Sequence, residues 1–269
     1  DVYKRQHSGH CNHKSAHYDP FMASSSFARD GYLKVEALIP SEEVGRLRDL
    51  YDRFLDGSID TGSMRSDLGA GADRKEGVRE NITQIMWPSE FVPVLHDTPA
   101  YRNALRLARE LLGEDLAFDF DMLIDKAPHS ATPTPWHQDC AYWPDLPDPR
   151  AASCWIALDE ATLENGCMWF APLSRVGALR PHRPAGKGGG AMECDGSEDE
   201  ATPVPLAPGS CTFHGGRTLH YSRGNTTGGH RRALILNFRP AKMIRLEREL
   251  GFDHGKSGNV REIRNVETK

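Results

Sequence analysis

The strongest constraint on the fold is a change of period along the chain. From Leu116 onward apolar residues stop recurring every three or four positions and begin to alternate: Leu116, Phe118, Phe120, Met122 and Ile124 interleave with Asp119, Asp121 and Asp125. Alternation sends successive side chains to opposite faces, so this stretch predicts a strand with one apolar face. Further strands are predicted over 152–158, 167–171, 210–214, 218–222 and 231–239, with Pro, Gly and Asn turns between them. Two helices are read in the chain before this switch. One helix is expected after Pro40, with Ser41 as N-cap, Glu42 and Glu43 in the first turn, and Val44, Leu47, Tyr51, Phe54 and Leu55 on one stripe. A second follows Thr98-Pro99, with Leu105, Ala108, Leu111 and Leu112 inward and Gly113 as its stop. A short strand over 31–35 precedes them. Helices first and then many short strands predict a mainly β fold with flanking helices, its core a sandwich or jelly roll.

Composition excludes several classes of function. With 38% hydrophobic and 26% charged residues in 269, the chain can bury a sizeable core. The net charge of −5 offers no basic field for nucleic acid or an anionic membrane. No apolar run approaches the roughly 20 residues that span a bilayer. The opening Asp1–Gln6 has no apolar stretch behind it, so no secretion signal is expected there. The six cysteines contain no CxxC pair, and reduced thiols in a cytoplasmic enzyme acting on a small molecule are the simplest expectation. Residues 1–26, rich in His (His7, His10, His13, His17) and polar side chains, are expected to be a disordered tail, and 27–269 a single domain. Within it, residues 180–202 carry Gly188-Gly189-Gly190 and a run of acids, and are expected to form a lid-like loop.

The chemistry concentrates in Thr134-Pro135-Trp136-His137-Gln138-Asp139. In extended chain His137 and Asp139 share a face while Gln138 points away. A third candidate ligand, His220, lies on a separate, later strand. Two imidazoles and a carboxylate describe a non-haem Fe(II) oxygenase site, and equally the ligand set of some zinc enzymes. The residue that separates these readings is Arg231, which opens the strand Arg231-Arg232-Ala233-Leu234-Ile235-Leu236-Asn237-Phe238. An iron oxygenase that draws electrons from 2-oxoglutarate must anchor the distal carboxylate of that co-substrate, and a guanidinium fork suits it.

Four blocks in order give this chain a resemblance to the phytanoyl-CoA dioxygenase family of Fe(II)/2-oxoglutarate oxygenases: FARDGYLKVEALIPSEEVGRLR, MLIDKAPHSATPTPWHQDCAYWP, WIALDEATLENGCMWFAPLS and HGGRTLHYSRGNTTGGHRRALILNF. The resemblance covers roughly residues 27–240. It implies a double-stranded β-helix, the cupin-like form of the jelly roll. It also implies Fe(II) held by His137, Asp139 and His220, with O2 and 2-oxoglutarate as co-substrates. Arg231 matches the Arg that binds the distal carboxylate, and Ser222 a hydroxyl that assists it. Trp155 and Met122 match positions lining the co-substrate pocket, Gln138 another family position, and Gln84 one where some members carry Lys. Asp139 stands where related halogenases have a small residue, so the resemblance implies hydroxylation. Arg175 departs from the family's usual His and bears on the substrate. Tyr142, Trp143, Trp169 and Phe170 are candidate walls of a substrate pocket, and Arg217, Arg223, Arg239 and Lys242 candidates to meet an anionic group. Two rivals stay open: a zinc or manganese hydrolase of cupin-like fold, which has no use for Arg231, and a non-catalytic 2-oxoglutarate sensor, which could dispense with a ligand.

Overall fold

The computed structural model describes residues 20–69, 79–173, 178–185 and 191–257. The stretch bearing His7, His10, Cys11, His13 and His17, the Gly188–Gly190 run and Arg175 lie outside them. Among the described residues five α-helices, α1 (Pro20–Asp30), α2 (Ser41–Leu55), α3 (Pro88–Phe91), α4 (Pro99–Leu112) and α5 (Ala241–Glu249), accompany the strands. The strands are β1 (Tyr32–Val35), β2 (Arg65–Asp67), β3 (Ile82–Met86), β4 (Leu116–Lys126), β5 (Thr134–His137), β6 (Ala152–Ala157), β7 (Met168–Ala171), β8 (Arg183–Pro184), β9 (Met192–Glu193), β10 (Thr202–Val204), β11 (Cys211–Gly215), β12 (Leu219–Ser222) and β13 (Arg231–Pro240).

The strands form a seven-stranded sheet in the order β1-β11-β6-β13-β4-β3-β2, a four-stranded sheet β10-β7-β12-β5, and the small pair β8-β9. Every pairing in them is antiparallel. Two facing sheets with these crossovers are the double-stranded β-helix expected from the sequence. The large sheet is covered on both faces. Leu234, Leu236 and Phe238 of β13 pack outward with Cys154 and Ile156 against helix residues such as Phe54, Tyr101 and Leu107. Ala233 and Ile235 face inward with Trp155, Met168 and Phe170. A central strand apolar on both faces reads as a continuous apolar run, hence ALILNF.

Four expectations are corrected. The tail does not extend to residue 26: α1 begins at Pro20, because Ala23 and Phe27 bury against the helical core. Ser41 is the first helical residue of α2 and Pro40 its N-cap, with no side-chain cap bond. In α4 the fully buried stripe is Ala100, Tyr101, Ala104, Leu107, Ala108 and Leu111, with Leu105 and Leu112 only partly buried at its margins.

The fourth correction concerns β4, which has no single apolar face. Asn237 of β13 pairs with Phe120 and Phe238 with Phe118, so Asp119 is an extra residue on β4. One inserted residue flips every later side chain to the other face. Leu116 and Leu123 therefore belong to the helix-side core, while Phe120, Met122 and Ile124 line the inner cavity. The acids do not line the cavity with them, yet Asp119, Asp121 and Asp125 are all buried, Asp121 on the helix side beside Tyr101.

Asp121 accepts from the backbone N–H and hydroxyl of Ser89, each at 3.1 Å, and from the Tyr101 hydroxyl. Burial nevertheless pushes its carboxyl up to about 6. A carboxyl raised from an unfolded value near ~3.9 binds more protons folded than unfolded between those values, so its stabilisation is greatest below that window and is lost as pH rises through it. Wild type should therefore lose roughly 2–3 kcal/mol relative to Asp121→Asn between pH 4 and 7, at about 1.4 kcal/mol per pKa unit. Parallel stability-against-pH curves for the two proteins would contradict this.

Candidate active site

His137 ends β5 and His220 sits in β12, and the two are direct cross-strand partners with ring centroids 4.1 Å apart. The β5–β12 register slips between His220 and Ser222, where β5 carries one extra residue. In each His the Nδ1 meets a backbone carbonyl two residues earlier, Pro135 O at 2.7 Å and Thr218 O at 2.9 Å. That contact fixes the hydrogen on Nδ1 and leaves the Nε2 lone pair free for a metal.

Asp139 follows Gln138, which is still extended, and opens a short 3-10 turn. Its Oδ1 lies 3.7 Å from His137 Nε2 and 3.6 Å from His220 Nε2. The three ligand atoms lie within 4.8 Å of one another. Burial holds both imidazoles below their ordinary pKa, His220 well below, so they are neutral donors near pH 7. Burial opposes ionisation of Asp139, but the imidazoles of His220, His214 and His137 around it outweigh burial and keep it a carboxylate. Two neutral nitrogens and one anionic oxygen suit a divalent first-row cation.

The cavity in front of this triad is walled by Gln84, Met122, Trp155, Ser222 and Arg231, all expected from the sequence. Arg231 is 1% exposed, and its Nε and Nη1 find no hydrogen-bond partner among the described residues. Its guanidinium carbon stands 5.2 Å from the Trp155 ring centroid. Burial drags its pKa down to about 10, which still leaves it charged. A buried unpaired guanidinium is costly, so this end of the cavity is built for an anion. Gln84 donates to Met122 Sδ at 3.4 Å, a weak contact that leaves its amide available.

Gln138 departs from expectation. Its side chain donates to Arg217 O at 2.7 Å and accepts from the Arg180 backbone N–H at 2.8 Å, so it ties the start of the lid segment to β12 and does not line the cavity. The described parts of 180–202 are pinned further. Arg180 pairs with Glu200 at 2.7 Å, Arg183 with Glu193 at 3.0 Å, Cys194 N–H donates to Trp136 O at 2.8 Å, and Met192 N–H to the Tyr142 hydroxyl at 2.7 Å. Of the proposed aromatic walls Tyr142 and Trp143 face the cavity. Trp169 lies instead beneath Arg223, and Phe170 stacks on Tyr32 in the inner core. Arg223 is paired with Glu198, and Arg239 stands 2.8 Å from Glu247, so each guanidinium already has a carboxylate beside it.

His214, Ser153, Asn237 and His254 also line the cavity and were not singled out in the sequence. His254 arrives from beyond α5 in a left-handed conformation (φ 53°), stacks on Phe120 with centroids 3.7 Å apart, and reaches Asp119 at 3.3 Å and Glu247 at 3.4 Å. Arg239 and Arg248 balance those two acids. Buried Lys126, cross-strand partner of Arg231, spends its ammonium on the carbonyls of Ser222 (3.2 Å) and Arg223. Only the FHGG run carried any signal for His214, and nothing local marked the others.

Comparison with known proteins agrees with this geometry. Residues 27–233 match the family model for phytanoyl-CoA dioxygenase (PhyH). A probable phytanoyl-CoA dioxygenase of Caenorhabditis elegans is 26% identical over 229 residues, 79% of this chain and 72% of that protein. EvdO2 from Micromonospora carbonacea var. aurantiaca, solved with 2-oxoglutarate, superposes with a TM-score of 0.66 at 29% identity, covering 87% of this chain and 92% of its own. The non-heme alpha-ketoglutarate-dependent epimerase SnoN from nogalamycin biosynthesis shares the fold, with a TM-score of 0.63 at 24% identity over 82% of this chain and 83% of its own. No helix among the described residues is long and apolar enough to cross a membrane.

Proposed function

The chain belongs to the phytanoyl-CoA dioxygenase family, and from that membership we propose that it is an Fe(II)- and 2-oxoglutarate-dependent dioxygenase hydroxylating an unactivated C–H bond of a small molecule. The overall change is R–H + O2 + 2-oxoglutarate → R–OH + succinate + CO2. Bound iron supplies the O2 activation, at the expense of the oxo acid. The protein's own part is positional. His137, Asp139 and His220 would hold the metal on one side, and Arg231 with Ser222 would take the distal carboxylate of the co-substrate. Trp155, Met122 and Ile235 wall the space between and keep water from the reacting centre.

One observation carries this reading: a fully buried guanidinium with unpaired donors, in the same cavity as the triad. A zinc or manganese hydrolase would leave that charge stranded. A sensor without chemistry would not need all three ligand atoms gathered within 4.8 Å. Asp139 fills the position that a halogenase leaves open for halide, which favours oxygen insertion. Phe120, Tyr142, Trp143, Phe252 and His254 give the substrate end an aromatic wall, which favours a substrate with a flat or ring-shaped apolar face.

The test is succinate formation from 2-oxoglutarate across a metabolite panel with Fe(II) or Zn(II) as the only metal, with products read by mass. Iron-dependent succinate with a product one oxygen heavier is expected. Full activity in the zinc-loaded, iron-free protein would overturn the oxygenase reading. Iron-dependent succinate with a product of unchanged composition would replace hydroxylation by an isomerisation.

A further inference from the structure

The cavity face of the large sheet carries one polar row at the level of Asp139. His214 on β11 pairs with Ser153 on β6, and Ser153 with Asn237 on β13. Cross-strand partners share a face, so these three side chains stand side by side under the carboxylate. The neighbouring row on the same face, Trp155, Ile235 and Met122, is apolar. A row of polar groups in a buried sheet face needs partners, and two of these, His214 and Ser153, converge on one atom.

That atom is Asp139 Oδ2. It lies 3.1 Å from His214 Nε2 and accepts from the Ser153 hydroxyl at 2.8 Å. The Asn237 amide touches the same hydroxyl at 2.8 Å. The Ser153 hydroxyl meets that amide at Oδ1, so its single proton lies between two acceptors, Asn237 Oδ1 and Asp139 Oδ2. His214 is 3% exposed, and its other nitrogen, Nδ1, is buried without a partner among the described residues. Its one polar contact there is Asp139. Oδ1, in contrast, is the oxygen that faces His137 and His220.

We propose that His214 and Ser153 are positioning residues that hold Asp139 as a one-oxygen ligand: by occupying Oδ2 they present Oδ1 alone to the metal. The inference rests on the reading that the triad binds iron. A facial triad leaves three positions open, and chelation by the oxo acid together with O2 needs all of them. A carboxylate free to turn would place both oxygens on the metal and close one of these positions. Hydrogen-bonded partners of ligands typically govern affinity by about 10- to 100-fold.

The test uses Co(II) as a spectroscopic probe, read by its visible absorption in the full chain, followed by titration of 2-oxoglutarate into the cobalt-loaded protein. His214→Phe removes the donor while keeping a ring. His214→Gln keeps a donor at about the same reach, and Ser153→Ala removes one hydroxyl. His214→Phe should change the cobalt spectrum at saturation and weaken 2-oxoglutarate binding by roughly 10- to 100-fold, with His214→Gln recovering most of both. Ser153→Ala should shift both readouts the same way by less, and it carries the test if His214→Phe fails to fold. Spectra and co-substrate affinities identical to wild type in His214→Phe, or in Ser153→Ala where that variant carries the test, would overturn the inference. Wild type that binds no cobalt would instead overturn the metal site itself.

Discussion

Alanine in place of His137 or His220 should abolish 2-oxoglutarate turnover by removing a metal ligand. The two rings lie 4.1 Å apart and supply two of the three donors, with their Nδ1 atoms already committed to Pro135 and Thr218 carbonyls. His214, a further imidazole beside the triad, is turned to Asp139 Oδ2 and so is not placed to substitute. The fold should survive, because each ring contributes to the cavity wall and neither belongs to the two large apolar clusters. A buried substitution of this kind typically costs about 1–3 kcal/mol. Fe(II) titration, turnover and thermal unfolding are measured together. If either variant kept near-wild-type turnover, that residue would not be a ligand.

The second large effect is at Arg231. Lys there keeps the charge and loses the fork, so paired charge-assisted hydrogen bonds to a desolvated carboxylate are lost. The loss should be on the order of 2–4 kcal/mol, or roughly 30- to 1000-fold in apparent KM for 2-oxoglutarate, with Arg231→Ala worse. Iron binding should be intact. Arg232, on the opposite face, is paired to Asp159 at 2.9 Å and to Asp52 at 2.6 Å, so Arg232→Ala should lose some stability and little co-substrate affinity. The unpaired Arg231 guanidinium also predicts the sign of a stability change. Arg231→Met should leave the protein free of 2-oxoglutarate as stable as wild type or more so, since a stranded buried charge is removed. Added 2-oxoglutarate should then raise the melting temperature of metal-loaded wild type and not of this variant. Were Arg232 the sensitive residue in a 2-oxoglutarate titration, the assignment of these two faces would fail.

Much of this was legible because the informative patterns are local. Alternation located β6, β7, β11, β12 and β13 to within a residue or two, and Thr98-Pro99 and Gly113 bracketed α4, although the Thr98 hydroxyl makes no cap bond and donates to Leu95 O. The His137–Asp139 pair needs only an extended Gln138 between them, which holds (φ −125°, ψ 127°). Arg231 faces the cavity because Ala233 and Ile235 share its parity, and parity can be counted along one strand.

Where parity breaks, the sequence was silent or misleading. The unbroken alternation of β4 concealed the extra residue at Asp119, since a bulge is defined by the partner strand and leaves no local trace. Gln138 was expected at the co-substrate, but the carbonyl of Arg217 and the backbone of Arg180 claimed its amide from 79 and 42 residues away in sequence. His214, Ser153 and Asn237 are unremarkable one at a time; the β11-β6-β13 register sets them side by side, where His214 and Ser153 reach Asp139 and Asn237 reaches Ser153. The chain by itself thus marked most of the strands and the His137–Asp139 pair by short-range spacing, while His220 and Arg231 were picked out as candidates by the family resemblance. Tertiary structure decided which oxygen of Asp139 faces His137 and His220, how β4 divides its side chains and how Phe252 and His254 come to line the cavity. Each of those depends on hydrogen bonds and burial between segments far apart in sequence, and chain entropy leaves such pairings unmarked until the sheet is formed.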